Sequence, residues 1–255
     1  MYKYGIGLAV CVGLLTGCQS SPSKKVPSEP VVIAKPAPVV IDVVPFNPDL
    51  AVRKEQFITD TAKKYAIPES EIRTVLNKAV YKQSIVNAMS RPAEATKTWA
   101  QYRPIFITSS RIGQGQKYLA ENRAEVERIA KQYGVPAEII LAIMGVETGW
   151  GGNMGNHNVL DALYTLAFYY PVINGKANPA RSAFFTDELA QFFFLFLEEG
   201  FDMLTVKGSY AGAMGLGQFM PSSYRKYAKD GDGDGKRDLF KSKQDAYASI
   251  ANYFI

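Results

Sequence analysis

Cysteine is scarce in this sequence, and both cysteines, Cys11 and Cys18, lie close to the N-terminus. An apolar run from Gly5 to Leu15, preceded by Lys3, is typical of a signal peptide and is too short to span a bilayer. Cys11 would leave with this segment, so Cys18 would be the one cysteine of the mature chain and could form no disulfide within it. We therefore do not expect a fold held together by disulfide bonds.

The sequence also lacks a large excess of charge of one sign. The 255 residues carry a net charge of +5 at pH 7, which is too small an excess to predict a nucleic acid partner. It would suit an anionic polymer or surface, although most proteins with such a balance have no partner of this kind. With 47% hydrophobic residues, the chain can form one domain with a substantial core, or two small domains.

The sequence lacks the alternation of apolar and polar residues that marks β-strands, and it contains no internal repeat. Apolar residues instead recur at spacings of three and four, as in residues 55–79, where a Pro-Glu-Ser break separates two predicted helices. A long amphipathic helix is predicted to end near Gly134, with Pro136 in the first turn of the next helix. The run 191–201 could pass for a buried strand, but its position after a predicted N-cap at Thr186 favours a buried helix. The predicted fold class is mainly α.

The segment "LLTGC", residues 14–18, resembles the lipobox of bacterial lipoproteins, in which the chain is cut before the cysteine and the cysteine is lipidated. Residues 1–17 would then be a lipoprotein signal peptide and Cys18 the lipidation site. The alternative is a plain secretory signal peptide with a chance cysteine. Residues 18–48 carry half of the 14 prolines and predict a semi-extended tether. Several acyl chains on Cys18 would give a stable anchor, and Gln19, by the lipoprotein sorting pattern, favours the outer membrane.

The predicted domain, residues 49–255, contains one carboxylate in an unusual setting, Glu147. The segment 136–150, "PAEIILAIMGVETGW", spaces its apolar residues so that Glu147 is predicted at the C-terminal end of a core-facing stripe. Apolar neighbours and the negative end of the helix dipole would both raise the pKa of this carboxyl, as a general acid requires. The alternative, which periodicity alone favours, is a glutamate that turns out to solvent at the helix end. The other residues of the predicted stripe are Ile139, Ile140, Ile143 and Val146.

The glycine-rich segment 207–224, "KGSYAGAMGLGQFMPSSY", is a second candidate site. It lacks the Gly-Lys-Ser/Thr ending of a phosphate loop and does not match the dinucleotide fingerprint. Its small residues expose the backbone, while Tyr210, Gln218 and Phe219 add a hydroxyl, an amide and a ring, a mixture that suits a sugar. Tight helix packing followed by a turn at the Met-Pro pair explains the segment equally well.

The run "DGDGDGKRD", residues 230–238, matches the first half of an EF-hand loop, with aspartates at positions 1, 3 and 5 and a glycine at position 6. Position 12 should be glutamate but is Lys241, so a longer loop would have to close on the next carboxylate. This pattern predicts a structural calcium ion rather than a sensor, because no second loop accompanies it. A charged surface turn is the alternative. The predicted ligand residues are Asp230, Asp232, Asp234, Lys236 through its carbonyl, Asp238 and Asp245.

Taken together, these segments resemble the membrane-bound lytic transglycosylase B family (family 3 lytic transglycosylases) over residues 46–255. The resemblance implies a lysozyme-like, mostly helical catalytic domain with an added helical subdomain and an EF-hand-like loop. It also implies a monomer that needs no catalytic cofactor and cleaves peptidoglycan strands between N-acetylmuramic acid and N-acetylglucosamine, leaving 1,6-anhydro ends. The segments that carry it, in family order, are "VETGWGGNMG", "VLDALYTLAFYYP", "KGSYAGAMGLGQFMPSSYRKYA", the Asp-Gly loop and "ASIANYF".

The resemblance assigns roles residue by residue. Glu147 matches the family's catalytic acid, which then acts as a base on the muramic C6 hydroxyl. Ser209 matches a serine close to that acid, Gln218 and Tyr253 match positions of the substrate groove, and the Asp-Gly loop matches the family's metal site. The sequence departs from the family after "YYP", where an insertion leaves Arg181 as the remaining one of two arginines that face the peptide stem.

Ordinary glycosidases require a second acid close to the first, and none is apparent near Glu147. A hydroxyl of the substrate that is already in place removes the need for one. A hydrolytic muramidase and a non-catalytic, calcium-binding peptidoglycan-binding lipoprotein remain as alternatives. The helical pattern of residues 245–255 has no C-terminal signal, so we expect the chain to be truncated at Ile255. The acids expected to be solvated are Asp161, Asp187, Glu188, Glu198, Glu199 and Asp202.

Overall fold

A computed structural model of the protein describes residues 49–90 and 97–255 and is mainly helical there, as predicted. The predicted signal peptide, the lipidation site Cys18 and the tether lie outside the described residues. The elements are α1 (Asp49–Tyr65), α2 (Glu69–Leu76), α3 (Gln83–Met89), α4 (Trp99–Phe106), α5 (Ser109–Tyr133), α6 (Ala137–Thr148), β1 (His157–Asn158), α7 (Val159–Phe168), α8 (Pro179–Glu199), β2 (Lys207–Gly208), α9 (Pro221–Tyr227) and α10 (Lys243–Phe254).

The helix boundaries follow the predicted start and stop signals. α1 ends at Tyr65, and α2 begins directly after Pro68, which confirms the predicted break. α5 ends at Tyr133 because Gly134 takes a left-handed φ of 68°, and Pro136 is the N-cap of α6. These local signals therefore set the length of α5 and the start of the helix that carries Glu147.

The aromatic run in α8 is helical, as predicted, but the proposed N-cap at Thr186 is wrong. α8 begins at Pro179, and the side chain of Asn178 accepts a hydrogen bond from the backbone N–H of Arg181. Thr186 lies inside the helix, where its hydroxyl donates to a backbone carbonyl. An asparagine cap followed by proline starts the helix earlier than the apolar run alone indicates.

The core is built around α7. All residues of α7 except Asp161 are buried, and the helix packs against α1, α3 and α8. This position accounts for the composition of α7, because a helix that is apolar on nearly every face favours the interior. Each large apolar side chain buried in this way contributes about 1.5–3 kcal/mol to the free energy of unfolding. α10 packs against α5, α6 and α9, so it joins the C-terminal part of the chain to the helix that carries Glu147.

The two strands pair antiparallel, with His157 opposite Gly208. Just before β1 the chain comes very close to the backbone of β2. A Cβ on Gly155 would lie 2.1 Å from the carbonyl oxygen of Gly208. Only glycine fits there, and its φ of 92° is also one that other residues rarely adopt. This pairing fastens the turn after α6 to the beginning of the glycine-rich segment.

Taken singly, no helix within the described residues is both long enough and apolar enough to cross a membrane. The helices α5 and α6 reach that length and composition only as a pair. The pair is bent by 112° at the break between them.

Candidate active site

Glu147 lies in the last turn of α6, but the predicted stripe is wrong. Ile139 and Val146 are 39% and 47% exposed, and Glu147 is exposed beside them. Because α6 is apolar on most of its surface, spacings of three and four describe two different faces, and periodicity cannot choose between them. Glu147 thus borders an open apolar surface instead of ending the core stripe. The residues that face the core are Ala137, Ile140, Leu141, Met144, Gly145 and Thr148.

The Glu147 carboxyl is nevertheless partly shielded from water. Partial removal from water raises its pKa above the ordinary value, and no charged group contributes to the shift. Among residues 49–90 and 97–255 the carboxyl forms no hydrogen bond and no salt bridge. The raised pKa is as predicted, and desolvation causes it. Such a carboxyl can hold a proton at a higher pH than an ordinary glutamate.

The turn after Glu147 is fastened to the glycine-rich segment. The Thr148 hydroxyl accepts a hydrogen bond from the N–H of Gly151 at 3.0 Å. The side-chain amide of Gln218 donates to the carbonyl oxygen of Met154 at 3.1 Å, and the φ of Gln218 is a left-handed 50°. The structure therefore brings two of the predicted site segments, the one around Glu147 and the one around Gln218, against each other.

Ser209 and Tyr210 lie in a tight loop at the start of the same segment. The Ser209 hydroxyl oxygen accepts hydrogen bonds from the backbone N–H groups of Ala211 and Ala213, at 3.2 and 3.0 Å. Both Ser209 and Tyr210 are partly exposed. Because two donors already point at its oxygen, the Ser209 hydroxyl keeps its proton free to donate to a ligand.

Of the three aromatic residues predicted to contact a sugar, Tyr210 is partly exposed, and Tyr253 presents the most open ring. Tyr253 is 57% exposed, whereas Phe219 is 6% exposed and cannot offer its face to a ligand. The Phe219 ring packs edge-on against Tyr253, with centroids 5.9 Å apart, and Tyr227 packs against the same tyrosine at 4.7 Å. The prediction for Phe219 is therefore corrected: its contact with Tyr253 supports the exposed ring.

Arg181 lies apart from the other predicted substrate-binding residues. It is exposed in the first turn of α8, and its guanidinium lies 4.9 and 5.0 Å from the ring centres of Phe184 and Phe185. In the described part of the chain, no hydrogen bond or ring contact joins it to the glycine-rich segment or to Glu147. The insertion before it forms a tight hairpin, in which Ile173 and Lys176 pair through their backbones.

Three of the six acids expected to be solvated are not. Glu188 is 2% exposed, and its carboxylate accepts hydrogen bonds from the N–H of Ser222 at 2.9 Å and from the Ser222 hydroxyl at 2.5 Å. The Asp161 side chain accepts a hydrogen bond from Val80 and is mostly buried, as is that of Glu199. These acids have structural partners, which a sequence pattern does not reveal. Asp202 lies beyond the end of α8 and not within a helix.

The Asp-Gly run gathers three carboxylates. Ligand oxygens of Asp230, Asp232 and Asp234 all lie within 4.8 Å of one another, and the three residues are exposed. Two oxygens bound to one calcium ion at 2.3–2.6 Å can be at most about 5 Å apart, so this donor set fits calcium. The N–H of Gly235, with a smaller contribution from the N–H of Gly233, lowers the pKa of Asp230, which keeps the carboxylate ionised.

The other predicted metal ligands take different positions. Asp245 is buried, and its two carboxylate oxygens accept hydrogen bonds from the N–H groups of Gly231 at 2.8 Å and Asp238 at 2.7 Å. Burial raises the pKa of Asp245, and these hydrogen bonds oppose the shift. The Asp238 carboxylate accepts backbone hydrogen bonds from the residues that follow it. Lys236 is exposed, and its N–H donates to Asp234. The carboxylates of Asp238 and Asp245 thus accept hydrogen bonds from backbone N–H groups of the loop.

An apolar cavity that the sequence did not predict lies beside α6. Its volume is about 510 Å³, and aromatic side chains of α4 form part of its wall. The α6 residues that line it are Glu138, Leu141, Ala142, Gly145 and Val146, so the cavity extends to the residue before Glu147. The one signal in the sequence was the pair of aromatic residues Trp99 and Tyr102, because the structure alone shows that α4 buries no residue.

The chain is similar to known proteins along most of its described length. The sequence profile of the transglycosylase SLT domain matches residues 50–255. The membrane-bound lytic murein transglycosylase B of Escherichia coli (strain K12) is 39% identical over 209 residues, which cover 78% of this chain and 55% of that protein. The chain thus spans about half the length of this curated relative.

Solved structures give the same picture. The soluble lytic transglycosylase SltB1 from Pseudomonas aeruginosa has a TM-score of 0.72 and 44% identity, over 79% of this chain and 65% of that one. The E. coli lytic transglycosylase Slt35, solved in complex with calcium, has a TM-score of 0.70 and 39% identity, over 79% and 62%. SltB3 from P. aeruginosa, solved with NAG-NAM-pentapeptide, has a TM-score of 0.70 and 30% identity, over 81% and 53%.

Proposed function

This chain belongs to the transglycosylase SLT domain family, and on that premise we propose that it is a lytic transglycosylase of peptidoglycan. It cleaves the β-1,4 bond between N-acetylmuramic acid and N-acetylglucosamine and leaves 1,6-anhydromuramic ends. Glu147 acts first as the acid and then as the base. The observation that carries the proposal is a partly desolvated glutamate with no hydrogen-bond or salt-bridge partner in the described residues, at the end of α6 and next to the glycine-rich segment.

The isolation of Glu147 favours a transglycosylase over a two-carboxylate glycosidase. Retaining and inverting glycosidases place a second carboxylate about 5–9.5 Å from the acid. No charged group contributes to the raised pKa of Glu147, and within the described residues its carboxyl has no hydrogen-bond or salt-bridge partner. The nucleophile must then come from the substrate, whose own hydroxyl is held next to the reacting carbon.

The reaction balances with one carboxyl group. Protonated Glu147 gives its proton to the glycosidic oxygen as the bond from that oxygen to C1 of the muramic residue breaks. The resulting carboxylate removes the proton from the C6 hydroxyl, and O6 forms the new bond to C1. The proton returns to Glu147, no water is consumed, and the enzyme is ready for another cycle.

The segments next to Glu147 would supply polar and aromatic contacts for a glycan. We assign Ser209, Tyr210, Gln218 and Tyr253 to substrate binding, because all four are accessible and Gln218 is hydrogen-bonded to the turn after Glu147. The Ser209 hydroxyl can donate to a sugar oxygen, and the open face of Tyr253 can stack on a pyranose ring. Arg181 is exposed at the start of α8 and is retained as the candidate for a stem-peptide carboxylate.

The cellular setting follows from the N-terminal sequence. The similar E. coli protein is named as membrane-bound, and Cys18 is the predicted site of a lipid anchor. We assign the protein to the periplasm, attached to the outer membrane through Cys18, where it acts on glycan strands as a monomer. The proline-rich tether would let the catalytic domain reach away from the membrane.

The Asp-Gly run is assigned to a structural calcium ion. Asp230, Asp232 and Asp234 would hold it with their carboxylates, and Lys236 with its carbonyl oxygen. A bound ion would neutralise three clustered negative charges, and it would supply no chemistry to glycan cleavage. A similar E. coli structure was solved in complex with calcium, which supports this metal.

Mass spectrometry of digested peptidoglycan tests the function. Anhydro ends, lighter by one water than reducing ends, are expected with the wild-type chain and absent with Glu147→Gln, which should still bind glycan. Reducing ends would instead identify a hydrolytic muramidase. Binding without any product, by a folded wild-type chain, would identify a non-catalytic peptidoglycan-binding lipoprotein. Glu198→Gln is a matched control, because Glu198 pairs with arginines away from Glu147.

A further inference from the structure

Glu147 has no side-chain partner within the described residues, so the backbone of the last turn of α6 must set its direction. Two consecutive left-handed residues follow that turn, Gly149 with a φ of 58° and Trp150 with a φ of 57°. Glycine adopts this conformation freely, but a tryptophan does not, because its Cβ crowds the carbonyl oxygen. Contacts of the Trp150 side chain must therefore hold the corner in place.

The indole of Trp150 is anchored at both of its ends. Its Nε1–H donates a hydrogen bond to the carbonyl oxygen of Leu141 at 3.0 Å, which lies on the same helix as Glu147. Its ring is stacked on Tyr118 of α5, with centroids 5.8 Å apart and an interplanar angle of 25°. The backbone N–H of Trp150 also donates to Met144 and so closes the end of α6. The side chain thus folds back along the helix that it follows.

Two glycines make room for the indole. A Cβ on Gly145 of α6 would lie 2.5 Å from Cζ2 of Trp150, and a Cβ on Gly115 of α5 would lie 3.0 Å from the same atom. Real Cβ contacts are not as short as the first of these distances. The indole therefore rests on bare backbone of both helices, and a methyl group at Gly145 would force it out.

We infer that Trp150 is a positioning residue for Glu147: the indole, wedged between α5 and α6, fixes the corner that ends α6 and so sets the direction in which Glu147 projects. Trp150 acts through the backbone and is not itself a catalytic residue. The inference rests on the proposed function, in which Glu147 is the acid. It goes beyond that function because it names what orients an acid that lacks a partner of its own.

The test uses Gly145→Ala, with Gly113→Ala as its matched control. Both replace a helical glycine by the best helix former, so both should favour their helix by similar amounts. A Cβ at Gly113 meets no atom within 4 Å, whereas a Cβ at Gly145 collides with the indole. A difference between the two variants therefore reports the position of Trp150 and not the strength of a helix.

For the proposed reaction we expect Gly145→Ala to lower kcat by about 10- to 100-fold, since small misplacements of a reacting group have effects of this size. KM should change by less, and Gly113→Ala should leave both constants near wild type. Adding Trp150→Phe to Gly145→Ala should restore part of kcat, because a phenyl ring lacks the atom that collides. Trp150→Phe alone loses the hydrogen bond to Leu141 and should lower kcat less than Gly145→Ala does.

A second measurement separates this inference from the proposed function. The Glu147 carboxyl is titrated by ¹³C NMR, with its resonance assigned by its loss in Glu147→Gln. Gly145→Ala should move the titration midpoint away from the wild-type value, and Gly113→Ala should not, even if the wild-type chain produced no anhydro ends. An unchanged midpoint together with an unchanged kcat in Gly145→Ala would overturn the inference. If Gly145→Ala does not fold, Trp150→Phe, which adds no atoms, is judged by the same two readouts.

Discussion

The side-chain hydroxyl of Thr148 lies 2.9 Å from the carbonyl oxygen of Leu216. Thr148 is the last residue of α6 and directly follows Glu147, while Leu216 lies in the middle of the glycine-rich segment. The hydroxyl is buried and also receives the N–H of Gly151. One small side chain therefore joins the end of the helix, the corner after it and the glycine-rich segment.

Thr148→Val should destabilise the protein without changing the size of the side chain. The change leaves the N–H of Gly151 and the carbonyl oxygen of Leu216 without their partner in a buried place. A loss of about 1–3 kcal/mol in the free energy of unfolding is expected from unsatisfied groups of this kind. Urea denaturation measures it. Thr148→Ser, which keeps the hydroxyl, is the control, and equal stability of the two variants would contradict the role of the hydrogen bonds.

The raised pKa of Glu147 predicts a cost in stability that depends on pH. The folded state disfavours the ionised Glu147 carboxyl. The contribution of Glu147 to the free energy of unfolding is therefore fully favourable below the pKa that this carboxyl has in the unfolded chain, and it is lost as pH rises through the pKa that it has in the folded protein. Glu147→Gln, which cannot ionise, should therefore melt at a higher temperature than wild type near pH 7. The difference should shrink as pH falls below the ordinary glutamate value. Parallel melting curves at every pH would contradict a desolvated carboxyl.

The same pKa predicts the direction of the pH dependence of cleavage. The first step needs protonated Glu147, so activity should decline as pH rises through its pKa. Because desolvation raises that pKa, the decline should lie at a higher pH than an ordinary glutamate would give. Initial rates of anhydro-end formation across pH measure the descending limb. A decline centred at or below the ordinary glutamate value would show that another group limits the first step.

Calcium should raise the melting temperature and a chelator should lower it. At a calcium concentration of about 100 times the dissociation constant, binding to the folded state stabilises it by about 2.7 kcal/mol. Asp230→Asn and Asp234→Asn should reduce the response to calcium, because each removes a negative ligand from the cluster. Asp60→Asn, an exposed acid on α1, is the matched control and should keep the full response. A wild-type melting curve insensitive to both calcium and chelator would remove the metal site.

Glu188 provides a test of whether a second acid contributes. Its carboxylate receives both the N–H and the hydroxyl of Ser222 at the start of α9. Glu188→Ala should lower the free energy of unfolding by about 1–3 kcal/mol, because the N–H of Ser222 loses a buried acceptor. Glu188→Gln keeps an acceptor and removes a charge that burial disfavours, so it should fold with wild-type cleavage activity. Loss of cleavage in a folded Glu188→Gln variant would make this residue the missing acid.

The sequence predicted the elements better than their faces. The break at Pro68 and the end of α5 at Gly134 depend on local backbone chemistry, so the residues themselves identify them. The buried face of α6 depends on which neighbours pack against it, and an apolar helix carries no local signal for that choice. The predicted stripe through Ile139 and Val146 failed for this reason.

The candidate site was predictable as a set of segments and less so as a set of contacts. Glu147 and Gln218 do lie in segments that pack together, as their shared family pattern implied. The burial of Phe219 and Glu188 was not predictable, because a ring or a carboxylate can face solvent or protein in the same local sequence. Tertiary partners such as Tyr253 and Ser222 decide the outcome, and both are distant in the chain.

The two hydrogen bonds of Asp245 have a consequence for how the Asp-Gly loop would respond to an ion. Asp245 joins the N–H of Gly231 to that of Asp238, so the protein itself holds the two sides of the loop together. An arriving cation meets a preorganised loop and has little chain entropy to remove. Binding should be fast and should leave the helical content unchanged. Calcium would then stiffen this corner and would not switch its fold on and off.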